Sequence, residues 1–180
     1  MKRHLVLIGA GIAVVAAFVG VSAASVSAQT TLTEEQRTLV KGNCMSIKNT
    51  LNQLKASDAL LRVNRGPIYD STETKLMNSF NSRLTSNRFD AQGLLSITSG
   101  YDKALDTFRL DYQTYERLLT AAIRIDCAKD PDSFHAAIEN ARTKRKTVHE
   151  DVLRLHQYID DYRSEVGAFK SNFERLSGDN

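Results

Sequence analysis

The chain has 180 residues, 24 Lys and Arg against 21 Asp and Glu, two cysteines, two prolines and no tryptophan. Lys2 and Arg3 supply two of the three excess positive charges, so the rest is near neutral, unlike the strongly basic footprint of a nucleic-acid binder. Composition also excludes a collagen, a disordered tail and a dense disulfide knot.

Residues 1–28 read as a secretory signal peptide: Lys2 and Arg3, an uncharged apolar stretch from Leu5 to Val21, then small residues ending Ser25-Val26-Ser27-Ala28. The expected cut follows Ala28. The alternative is an uncleaved anchor over residues 5–21, at the short limit for a bilayer span and weakened by Gly9, Gly11 and Gly20. Either way the remainder, a single domain over 29–180, is expected outside the cytoplasm, secreted or at the cell envelope. A membrane contact is expected only if the leader stays.

The first helix begins at a capping box, Thr33-Glu34-Glu35-Gln36, and runs over about 33–61. Val40, Cys44, Ile47, Leu51, Leu54 and Leu61 keep a coiled-coil spacing, with Asp58 the misfit. Beyond Leu61 the phase slips and resumes as Tyr69, Leu76, Phe80 and Leu84. Gly66-Pro67 between them predicts a break near 58–67, because Pro removes a backbone donor and crowds the preceding turn. Asp70 or Ser71 would cap the restart over 68–87. Asn87-Arg88-Phe89-Asp90 is the next turn.

A helix over 91–126 follows, with apolar seam positions from Leu94 to Ile125 interrupted by Asp111, and with Gly100 weakening its first third. Asp130-Pro131-Asp132 starts the last helix, about 131–176. Its seam runs from Phe134 to Leu176 with Arg145 as the polar exception. That helix is a rod of roughly 65 Å. No alternating strand pattern appears, so the predicted fold is all-α: an elongated antiparallel bundle of three long helices, the first broken.

In an exported protein, Cys44 and Cys127 are most simply one disulfide; metal binding competes poorly without C-x-x-C or a nearby histidine. The bridge constrains topology, since its Cα atoms must come within about 7 Å. If 33–61 and 68–87 folded back as a hairpin, the cysteines would sit at opposite ends. If that stretch runs one way, Cys44 misses Cys127 by only about seven residues, roughly 10 Å of helix. An irregular stretch near 58–67 would absorb the difference.

Catalytic patterns are missing from the sequence: GxSxG, HExxH, a phosphate-cradling loop and CxxCH do not occur. No enzyme activity, cofactor, metal or nucleic-acid partner is therefore expected. His149 and His156 are too far apart along one helix to share a metal, and His156 with Asp160 would form a surface pair. Two basic groups are candidate interaction surfaces: Arg62, Asn64 and Arg65 at the expected break, and Arg142, Lys144 and Lys146 on the last helix. The second group is bracketed by acids and reads mainly as a solvated face. Arg145 occupies a seam position and calls for a carboxylate on a facing helix, Asp111 or Asp58, with Asp111 the favoured seam ion pair.

The segments Leu61-Arg62-Val63-Asn64-Arg65-Gly66, Leu76 to Arg83 and Ile125-Asp126-Cys127 with Pro131 and Phe134 resemble those of small exported all-helical proteins of candidate-phyla bacteria. The resemblance covers most of 40–175. It implies a helical fold and export and lends no activity or site. Those relatives often carry a polar residue where Pro67 stands.

The leading expectation is an exported, non-enzymatic helical protein of the cell envelope that binds a protein partner or itself. A holdase-like chaperone and a small-ligand-binding bundle are the alternatives, the latter requiring a polar-lined cavity.

Overall fold

The computed structural model describes residues 31–178; the expected signal peptide over 1–28, the expected cut after Ala28 and the alternative anchor over 5–21 lie outside them. All regular structure within them is helical: α1 (Glu34–Gly42), α2 (Cys44–Ser71), a π-helical segment (Thr72–Met77), α3 (Asn78–Ser86), α4 (Gln92–Arg124) and α5 (Pro131–Gly178). None of these helices is long and apolar enough to cross a membrane.

Local chemistry sets most helix ends. Thr33 and Gln36 form the capping box, each side chain bonding the other's backbone N–H. Asp130 accepts from the Ser133 N–H at 3.1 Å, and Asp90 from Gln92 at 3.0 Å. Arg88, at φ 63°, makes the left-handed turn after α3.

The expected break at 58–67 is absent. Helix α2 runs through Gly66 and Pro67, and continues without interruption into the π segment and α3. Pro67 is exposed, and so is Val63, whose carbonyl loses its helical partner to the proline ring. On that side water supplies the missing donor. No cap restarts a helix at Asp70; its carboxylate meets Arg109 at 2.7 Å instead.

The irregularity sits downstream, in the wide π turns of Thr72–Met77. A π turn inserts a residue and rotates everything after it. As a result Met77 is fully buried while Leu76, expected in the seam, is 58% exposed. Two tyrosine hydroxyls serve backbone carbonyls flanking this insertion: Tyr101 donates to Tyr69 O at 3.0 Å, and Tyr162 to Met77 O at 3.2 Å. Asn81, 2% exposed, closes the network by donating to Thr98 and accepting from Tyr162 at 2.7 Å.

Helix α4 is regular from Gln92 despite Gly100, which lies under the Tyr158 ring of α5. Helices α4 and α5 form the main apolar contact, with Tyr101, Leu105, Leu155 and Tyr162 buried between them. α2 adds to it more sparingly.

The Cys44–Cys127 disulfide is present, with Cα atoms 5.5 Å apart, beside buried Phe134. No irregular stretch at 58–67 absorbs the register gap, since α2 is helical there. Helix α4 stops at Arg124 and Ile125 turns extended.

Candidate functional site

From Val40 to Leu54 the inward face of the first helical run is apolar, but from Asp58 it changes. Asp58, Arg62, Arg65 and Tyr69 follow at gaps of four, three and four, so they share one helix face. That face looks toward Phe108, Tyr112 and Tyr115 of α4 and toward Arg145, Val148, His149 and Val152 of α5. Long polar side chains cannot interdigitate as Leu would, and a cavity of about 390 Å³ opens between the three helices. Its walls draw on two apolar clusters, one holding Tyr69, Phe108 and Leu155, the other Tyr112, Tyr115, Leu119 and Ala141.

One wall is aromatic. Tyr69 meets Phe108 edge-on with centroids 5.9 Å apart, Phe108 meets Tyr112 at 6.3 Å, and Tyr112 meets Tyr115 at 6.1 Å. Burial, and then the charge of Glu116, holds the Tyr112 hydroxyl above its ordinary pKa. The Arg62 guanidinium lies 5.3 Å over the Tyr112 ring. Tyr69 shares a hydrogen bond with His156 at 3.2 Å, so His156 meets α2 instead of pairing with Asp160.

The other end is an ion pair. Arg145 donates to both oxygens of Asp58, Nε to Oδ2 at 2.9 Å and a terminal nitrogen to Oδ1 at 3.0 Å. The Tyr115 hydroxyl donates to Oδ2 at 2.6 Å. Burial pushes the Asp58 carboxyl up, but the hydrogen bonds from Arg145 and Tyr115, with the guanidinium charge, outweigh it and leave the carboxyl below its ordinary range. Tyr115 is raised, first by burial and then by its bond to the carboxylate. Asp58 is thus held as an anion with both of its oxygens engaged.

Arg145 therefore finds Asp58 and not Asp111, which was the favoured partner. Asp111 is taken by Lys144 at 2.7 Å, since Lys144 and Arg145 point to different neighbours one residue apart on the helix. The two basic groups of the sequence divide accordingly. Arg62 and Arg65 line the cavity; Asn64 is exposed and does not. Arg142 pairs with Glu139 at 2.9 Å on the surface, and Lys146 is exposed.

Sequence reasoning missed the cavity, although its signal was present. The phase slip after Leu61 marks the point where seam positions become charged. Gly66 belongs to the same wall: a Cβ placed there would meet nothing within 4 Å. It leaves space in the cavity and does not break the helix. Among the described residues no His, Cys, Asp and Glu cluster could hold a metal ion. Comparison of the chain with protein-family models, with curated proteins and with solved structures finds no match.

Proposed function

We propose that this chain is an exported, non-enzymatic small-ligand-binding protein, built as three antiparallel rods that hold a binding cavity halfway along their length. The observation that carries the reading is the change of α2's inward face from apolar to Asp58, Arg62, Arg65 and Tyr69, which opens the 390 Å³ cavity lined by rings and guanidinium groups. A few convergent polar groups in an otherwise apolar recess are what ligand sites commonly offer. The three-rod arrangement is supported by Asn81 meeting Thr98, Asp58 meeting Tyr115 and Cys44 meeting Cys127. Binding is favoured over catalysis because Asp58, the cavity's acid, is held ionised with both oxygens engaged and so is poorly suited to move protons. The disulfide supports an oxidising compartment.

The test is a thermal-shift screen of small amphipathic solutes against the mature chain and Gly66→Leu. Ligand at ten times its Kd should raise Tm by about 3–5 °C. Gly66→Leu, which fills the cavity at a helical position, should abolish that rise. A rise unchanged in Gly66→Leu would overturn the reading.

A second reading, action through contact with another copy, draws on the exposure of Leu60, Val63, Ile68 and Leu76, each 58–63% accessible along the first helical run. Sedimentation equilibrium separates the two. A monomer at high concentration removes self-assembly and leaves the cavity reading standing.

A further inference from the structure

We infer that the cavity selects small aromatic monoanions, a planar ring bearing one carboxylate. This rests on the cavity's being a ligand site, and adds which chemical class it takes.

The charge balance around the opening is one-sided. Asp58 is the acid in the lining, and Arg145 neutralises it with two hydrogen bonds. Arg62 and Arg65 remain, and among the described residues neither has a carboxylate within salt-bridge distance. A guanidinium presents a planar fork of donors that fits a carboxylate bidentately. Arg62 is already positioned, stacked on Tyr112, so less side-chain freedom is lost when an anion arrives.

The body of the ligand follows from the walls. Tyr69, Phe108 and Tyr112 are held in successive edge-on or tilted contacts, a fixed aromatic surface. Val148 and Val152 face it from α5. Between such walls a flat ring buries more area at lower entropy cost than a flexible chain, which must give up its rotamers. The volume limits the ligand to small size, a fused bicycle with its head group and little more.

Isothermal titration with 2-naphthoate, 2-naphthamide and octanoate tests each part on the full mature chain. The expected order is naphthoate tightest, with naphthamide and octanoate each at least about tenfold weaker; hydrogen bonds to charged groups account for such a gap in the amide. The double variant Arg62→Gln/Arg65→Gln should weaken naphthoate by at least about tenfold, to near naphthamide, and should weaken naphthamide far less. Gly66→Leu should abolish binding of all three. If naphthamide binds wild type as tightly as naphthoate, the anion selectivity is wrong. If octanoate matches naphthoate, the aromatic part is wrong. In both cases loss of binding in Gly66→Leu still upholds the cavity. If wild type binds none of the three, or Gly66→Leu binds like wild type, cavity and ligand class both fall. Circular dichroism confirms that each variant is folded.

Discussion

Replacing Arg145 by methionine keeps most of the apolar stem and removes the guanidinium. What remains is Asp58, 7% exposed, with two charge-assisted hydrogen bonds gone and only Tyr115 donating. Removing one member of a fully buried pair costs about 3–5 kcal/mol. The Arg145 side chain is 50% exposed, so water already screens the pair and takes up part of the loss. The expected cost at pH 7 is therefore about 2 kcal/mol, or about 4–8 °C in Tm for a domain of this size. The pH dependence carries a sign. In the wild type the Asp58 carboxyl is held below its ordinary pKa, so its contribution is present above the unfolded value and is lost as pH falls through the folded one. In Arg145→Met burial, the largest influence on this carboxyl, is opposed only by the Tyr115 bond, and the pKa rises above the unfolded value. Stability from that group is then present at low pH and lost as pH rises. The gap between the two proteins should shrink from pH 7 to pH 4. Urea unfolding at both pH values measures it. A cost under about 0.5 kcal/mol at pH 7, or a gap that is constant across this range, would refute the reasoning.

Other substitutions address the surrounding packing. Gly100→Ala would bring its Cβ to 2.6 Å from the Tyr158 ring, and thermal unfolding should show a loss of about 1–2 kcal/mol. Gly93→Ala meets only the flexible end of Glu165, so the gain in helix propensity, about 0.5–1 kcal/mol, should win. Asp151 is 2% exposed with Oδ2 unpartnered, and burial, then Asp111, raises its pKa. Its ionised form thus costs stability as pH rises above the unfolded pKa. Asp151→Asn should stabilise by about 1 kcal/mol at pH 7 and by little at pH 4 in urea titrations. Cys44→Ser/Cys127→Ser should cost roughly 4 kcal/mol by the loop-entropy estimate. Hydrogen exchange should then show the backbone of α1 opening first, since α1 has no buried residue of its own.

Much of the helical layout was readable because its signals are local. The Thr33–Gln36 box, the Asp130-Pro131 start and the turn at Arg88 each act within four residues of themselves. The disulfide was readable from the even cysteine count together with the expectation of export. Pro67 misled because its effect depends on which side of the helix it occupies. On the exposed side the lost bond is returned by water, and nothing in Gly-Pro itself tells which side that is. The π segment was hidden for a related reason. Leu76 and Met77 are both apolar, and it is the packing of the tertiary cluster, not either residue's own chemistry, that buries Met77. Arg145 was recognised as needing a carboxylate, but the choice between Asp58 and Asp111 turns on rotation about α5 that heptad counting cannot resolve. The cavity is the clearest case. Arg62, Arg65 and Gly66 were all noticed, yet as features of a break, when their common helix face gives them a shared role.

The most direct measurement is a ¹⁵N–¹H correlation spectrum of residues 29–180 during titration with 2-naphthoate. Shifts should concentrate at Arg62, Gly66, Tyr112 and Val148, midway along the rods, and saturate with one ligand per chain. Shifts confined to Phe89, Phe173 and Leu176 at the far end of α5, or no saturable shifts at all, would contradict a mid-length binding cavity.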